Sequence, residues 1–212
     1  MDKIEIIPPT VRRLSRREIM RGLAATAAVT ASQPALAALL SDGPPLFETA
    51  RHQFNIVRPA RRVPDLPLTR IDGSQTSFVK LRGKVVLLNF WATWCPACRI
   101  ELPILDRLQQ TMGGADLQVV AVSVDRGDRR IVERFAREMK IRHLTVCHDP
   151  DNRIAHTRGS QDREAPFALY GMPISYVINR AGGVEGYMTG EADWLSEPGQ
   201  KLLEYYLRAP AG

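Results

Sequence analysis

Residues 83–103 read G-K-V-V-L-L-N-F-W-A-T-W-C-P-A-C-R-I-E-L-P. The apolar run from Val85 to Phe90 has the length of a buried strand. Leu102, Leu105 and Leu108 then recur at helical spacing until Gly113-Gly114 stops them. Cys95 therefore falls where a strand hands over to a helix. Pro96 suits the first helical turn, because the donor it lacks would be unpaired there. Free amides and the positive end of the helix dipole favour an anion at that point. A thiolate so placed has its pKa drawn down from about 8.5, into the range of about 3.5–7.5. Cys98 lies one turn on, within reach of a mixed disulfide formed by Cys95. The spacing fits an attacking and a resolving thiol. A structural zinc site would need four ligands, and Cys147-His148, the one candidate second half, lacks a ligand-type spacing. A purely structural bridge would close so short a loop that it gains little loop entropy.

Outward from this stretch, strands and helices alternate. Asp72-Gly73 is a hairpin turn joining Leu66–Ile71 to Ser74–Val79. Leu117–Val124 reads as a second buried strand, Ile131–Lys140 as an amphipathic helix and Leu144–Cys147 as a short strand. Ile174–Asn179 and Val184–Thr189 flank Gly182-Gly183 as a hairpin, and a last helix carries Leu202, Leu203 and Leu207. The pattern predicts an α/β fold: a mixed central sheet with helices on both faces and an N-terminal β-hairpin extension.

The chain has 212 residues, which suits one domain with an appendage, and only three cysteines, too few for a disulfide scaffold. Half of its net charge of +6 lies before residue 38, so the remainder gives no footing for nucleic-acid binding. In that first segment Ser15-Arg16-Arg17-Glu18-Ile19-Met20-Arg21 precedes a mildly apolar stretch, and Ala35-Leu36-Ala37 offers a small-x-small cleavage pattern. The paired arginines resemble the twin-arginine export signal. Thr26, Thr30, Ser32, Gln33 and Pro34 interrupt the stretch too often for a good spanning helix, which disfavours an uncleaved anchor. The expected organisation is a signal peptide over 1–37, a linker over 38–64 and the folded domain over 65–212. The expected compartment is the periplasm, where disulfides persist.

The active-site stretch resembles that of the thioredoxin superfamily, and in particular its exported TlpA/ResA-like branch. D-G-S-Q at 72–75, A-V-S-V-D at 121–125 and G-M-P-I-S-Y-V-I-N-R-A-G-G at 171–183 extend the likeness. The resemblance implies a thioredoxin fold and thiol-disulfide exchange through a Cys95–Cys98 redox disulfide, with no cofactor and no metal. It further implies a monomeric reductant of selected exported proteins, acting on apocytochrome c or copper-site cysteines and re-reduced by a membrane thiol carrier. By the same resemblance Pro173, after Met172, is the cis proline beside the cysteines, and Trp94, Met172 and Pro173 contact substrate. Ile174 stands where the family commonly has threonine. Glu101 matches the acid of the C-x-x-C-x-x-E pattern and is placed to exchange the proton of Cys98; an exposed carboxylate in the first turn is its alternative. Asn89 stands where many thioredoxins bury an acid, and an amide does not titrate. The same cysteines would serve a net dithiol oxidase. A copper-delivery module would want a C-x-x-x-C spacing and a distal histidine, and a peroxiredoxin a P-x-x-x-T-x-x-C pattern, which the chain lacks around Cys95. Cys147 reads as a buried small hydrophobe. The segment His156–Gly171 is expected to border the reactive cysteine.

Overall fold

The computed structural model describes residues 43–157 and 165–209. The expected signal peptide and residues 158–164 of the loop lie outside the described residues. Among the described residues, ten strands and three α-helices follow in chain order: β1 (Asn55–Arg62), β2 (Pro67–Arg70), β3 (Gln75–Ser77), β4 (Val85–Trp91), α1 (Pro96–Met112), β5 (Leu117–Ser123), α2 (Arg129–Glu138), β6 (Thr145–His148), β7 (Ala155–Thr157), β8 (Phe167–Leu169), β9 (Ile174–Ile178), β10 (Gly183–Thr189) and α3 (Glu197–Arg208). Eight strands form one sheet in the order β1-β10-β9-β4-β5-β6-β2-β3, while β7 and β8 pair separately. β4, β5 and β6 run parallel and β9 runs antiparallel to β4, so the sheet is mixed.

Burial on both faces explains the unbroken apolar run of β4, in which all seven residues are buried. Val85 and Leu87 join a cluster with Leu105 and Leu108 of α1 and Leu202, Leu203 and Tyr206 of α3. Val86, Leu88 and Phe90 point the other way, into a cluster with Leu81, Phe78, Phe167 and Tyr176. Two successive crossovers that step in one direction across a parallel sheet put their helices on one face. Accordingly α2, through Val132 and Phe135, packs on the same side as Cys98 and Leu102 of α1. The opposite face is covered by the 3-10 turn Val79–Leu81 and by the β7–β8 segment. Phe167 anchors that segment, with its ring 5.8, 5.4 and 5.0 Å from those of Phe78, Phe90 and Tyr176.

The linker expected over 38–64 is corrected by the structure. From Pro44 onward the chain belongs to the folded unit, and β1 pairs antiparallel with β10. Phe47 and Phe54 are buried, Phe47 edge-on to Trp194 at 5.0 Å. The physical reason is that β1 is an edge strand, mostly exposed and broken in register between Ile56 and Arg61, where Arg58-Pro59 is cis. Such a strand carries no alternation of apolar and polar residues to read. The hairpin β2–β3 forms as expected around Gly73 at φ +90°, with the Asp72 carboxylate accepting from Ser74 N–H at 2.8 Å.

Candidate active site

β4 lies in the middle of the sheet and delivers Trp91 and the fully buried Ala92 to its C-terminal edge. The turn that follows is tied down by Asp125. Its carboxylate accepts from Thr93 N–H at 2.9 Å, from the Thr93 hydroxyl at 2.6 Å and from the Ser123 hydroxyl at 2.7 Å. The chain then reaches Cys95 in extended geometry as the N-cap of α1, with Pro96 in the first turn. A cap side chain normally satisfies a free amide with oxygen. Here sulfur does so, the Cys95 Sγ accepting from Cys98 N–H at 3.2 Å. Cys95 and Cys98 are joined by a disulfide, their Cα atoms 5.3 Å apart. Cys95 is 4 % exposed and Cys98 fully buried, and a cleft opens beside the outer cysteine.

That cleft has a volume of about 370 Å³ and is walled by Trp94, Cys95, Ala97, Thr157, Leu169 and Met172. The segment His156–Gly171 therefore borders the reactive pair through Thr157, Leu169 and Gly171. Trp94 is 66 % exposed and stands at the rim, whereas Trp91 is buried in the core against Phe135, ring centroids 5.5 Å apart. The Met172-Pro173 bond is cis. Pro173 is buried, and its carbonyl accepts from Gly190 N–H at 2.7 Å, so Met172 is the member of the turn that faces the cleft.

One helical turn after Cys98, Glu101 is 1 % exposed, which overturns the alternative of an exposed first-turn carboxylate. Its Oε1 accepts from Ala192 N–H at 3.2 Å and from the Trp194 indole N–H at 3.1 Å. Its Oε2 accepts from Asn89 Nδ2 at 2.8 Å, and the same Nδ2 donates to the Ser175 hydroxyl at 2.9 Å. Burial pushes the carboxyl from 4.5 up to about 8; the three donors pull it down by less, and Glu191 adds to the rise. Sequence reasoning missed Trp194, Ala192 and Ser175, which come from positions 74–93 residues beyond Glu101. The buried carboxylate of this site is thus carried by α1, with Asn89 as one of its three hydrogen-bond donors.

Cys147 lies in the cluster on the far side of the sheet from the pair, fully buried, with its thiol pushed up to about 12 by burial. It completes no ligand set with Cys95 and Cys98. Among the described residues no group of three metal-binding side chains occurs, and no helix is long and apolar enough to cross a membrane.

Comparison with known proteins agrees with this geometry. The AhpC/TSA family model matches residues 59–186, more than half of the chain. The chain is 31 % identical over 139 residues to the thiol-disulfide oxidoreductase ResA of Oceanobacillus iheyensis, covering 64 % of this chain and 67 % of that one. It is 27 % identical over 145 residues to the thioredoxin-like protein YneN of Bacillus subtilis, covering 68 % and 79 %. Among solved structures, a thiol:disulfide interchange protein DsbE from Chlorobium tepidum superposes with a TM-score of 0.57 at 28 % identity, covering 70 % of this chain and 96 % of that one. The chain belongs to the AhpC/TSA family and, within the thioredoxin superfamily, is a thiol-disulfide oxidoreductase related to ResA, DsbE and TlpA-like proteins, working through a redox-active cysteine pair.

Proposed function

We propose that the protein is a net reductant of disulfides in selected exported proteins, of the kind whose cysteines later carry haem or copper. Cys95, as thiolate, attacks one sulfur of the substrate disulfide and displaces the other as a thiolate. Cys98 then loses its proton and attacks Cys95 Sγ, which releases the second substrate thiolate and leaves the Cys95–Cys98 disulfide. Two electrons pass to the substrate, and a membrane thiol carrier restores the dithiol.

The observation that carries this reading is the buried Glu101 on the helix face of Cys98. A carboxyl that burial lifts to about 8, one helical turn from Cys98, can take the Cys98 proton and return it. The environment of Cys95 supports the direction. Strong oxidants hold their reduced form as a stabilised thiolate. Here the sulfur receives the single Cys98 amide, while the guanidinium of Arg99 is engaged with the Thr93 carbonyl at 3.1 and 3.2 Å and stacks over Phe135 at 5.0 Å. With the Arg99 charge engaged in this way, the thiolate is held less tightly than in a strong oxidant, and the dithiol is a good donor of electrons.

Trp94, Met172 and Pro173 form the substrate side of the site. Trp94 offers an exposed aromatic anchor, Met172 a side chain in the cleft, and Pro173 the buried turn that aims Met172. The domain works as a monomer after export through the Arg16-Arg17 signal. The direct test is capture of partners in the periplasm with the Cys98→Ala variant, which cannot resolve its mixed disulfide. Exported proteins with paired cysteines should be held on Cys95 by a bond that dithiothreitol breaks. Recovery of no disulfide-linked partner, from cells in which the variant is exported and folded, would sink the proposal.

A further inference from the structure

Glu101, Asn89 and Ser175 leave one polar atom unaccounted for. Asn89 is 1 % exposed and its Oδ1 is buried without a hydrogen-bond partner, while its Nδ2 supplies both Glu101 Oε2 and Ser175 Oγ. A buried amide that leaves its one acceptor atom unpaired is unusual enough to need a reason. Counting donors and acceptors provides one. Every contact to Glu101 comes from a donor, which suits the carboxylate and leaves a protonated carboxyl with nothing to donate to. The backbone amide of Ala192 and the indole of Trp194 cannot become acceptors, so Oε1 cannot carry the proton. Oε2 can, provided that Asn89 turns over.

We infer that Asn89, together with Ser175, is a positioning residue that serves both charge states of Glu101 by rotating its amide about Cβ–Cγ. With the carboxylate ionised, Nδ2 donates to Oε2 and to Ser175 Oγ, and Oδ1 is unpartnered. With the carboxyl protonated, Oδ1 occupies the former place of Nδ2 and accepts from Oε2–H and from the Ser175 hydroxyl, and Nδ2 is unpartnered. Each state makes two hydrogen bonds and strands one atom, so neither is favoured by the amide itself and the proton decides. The amide carries no proton; only its orientation changes.

The placement connects this exchange to substrate. Asn89 and Ser175 are opposite one another in the antiparallel pairing of β4 with β9. Ser175 stands two residues after the cis Pro173, on the strand that leads out of the turn facing the cleft. Protonation of Glu101 by Cys98 therefore reverses the hydroxyl of Ser175 directly behind that turn. The polar and charged groups acting on Glu101 are Asn89 from β4, with Ser175 of β9 behind it, and Ala192, Trp194 and the charged Glu191 from the chain between β10 and α3; on α1 itself Cys98 lies one turn before it. The inference rests on Glu101 as the ionising group of the site. It does not depend on the direction in which electrons flow.

The test uses the disulfide-bonded wild-type chain, in which neither Cys95 nor Cys98 titrates. Nuclear magnetic resonance of the labelled protein follows the Glu101 carboxyl carbon and the Asn89 side-chain amide from pH 5 to pH 10. Above the Glu101 midpoint the amide protons should show Overhauser contacts to the Ser175 β protons. Below it these contacts should vanish with the same midpoint. Glu101→Gln, whose Nε2 donates where Oε2–H did, should show the low-pH contact pattern at every pH. Asn89→Leu removes a charge-assisted bond from the carboxylate and a weaker neutral one from the acid, so the Glu101 midpoint should rise by at least half a pH unit, about threefold in proton affinity. Contacts to Ser175 that persist on both sides of the Glu101 midpoint would overturn the inference. So would a Glu101 that does not titrate in this window. Neither result bears on whether the enzyme is a reductant, which the reduction potential decides separately.

Discussion

Replacing Glu101 by glutamine isolates the cost of the buried carboxylate. Burial raises this carboxyl from 4.5 to about 8, so the unfolded chain gives up its proton at lower pH than the folded one. The stabilisation is fully present below pH 4.5 and is lost as pH rises through about 8. A tenfold difference in proton affinity between the folded and unfolded chain is worth about 1.4 kcal/mol, and the wild type should lose roughly 4 kcal/mol in this way between pH 5 and pH 8, levelling above pH 9. Glutamine matches the shape, keeps an acceptor for Ala192 and Trp194, and does not ionise. Urea unfolding of the oxidised wild type and of Glu101→Gln at each half unit of pH gives the comparison. Other titrating groups are common to both proteins and cancel in the difference. With a slope of about 2 kcal/mol/M, the wild-type midpoint should fall relative to the variant by about 2 M urea over that interval. Parallel pH profiles for the two proteins would refute the reasoning, because Glu101 would then ionise as freely folded as unfolded.

Trp94→Ala removes an exposed aromatic at the rim of the cleft and should fold normally. Reduction of a native protein partner, measured against reduction of a small disulfide, should drop at least tenfold, about 1.4 kcal/mol of transition-state binding. An unchanged ratio would move specificity elsewhere. Arg16 and Arg17 changed together to lysine should leave precursor in the cytoplasm when fractions are probed by immunoblot, and normal periplasmic accumulation would count against the twin-arginine route.

The elements that build the site were legible because their burial pattern is written in long runs. β4 is apolar on both faces, and Leu102, Leu105 and Leu108 mark the buried side of α1. The cis turn at Met172-Pro173 and the cysteine pair could be found from short motifs, since each motif serves local geometry. β1 was not legible: its outer residues are arginines and a proline, and its inner contacts are made with β10, more than 120 residues away. The same holds for β7 and β8, three residues each, whose place is set by one phenylalanine packing into an aromatic group. The burial of Glu101 escaped the sequence for a related reason. A glutamate near the start of a helix looks solvated until Trp194 donates to it from 93 residues on. Asn89 is the converse case, an amide in a buried strand that signals a polar partner without saying which.

The central claim is that Cys95 and Cys98 donate electrons in the net reaction. The measurement that bears on it most directly is the equilibrium reduction potential of the domain, titrated against a dithiol buffer with the Cys95–Cys98 bond followed by alkylation and mass shift. A Cys95 thiolate held by one amide at the N-terminus of α1, with the Arg99 guanidinium engaged by the Thr93 carbonyl, predicts a value near thioredoxin's, about −270 mV. A value above about −150 mV, close to the strong oxidants at about −120 mV, would contradict the account, since about 30 mV is already tenfold in the equilibrium constant.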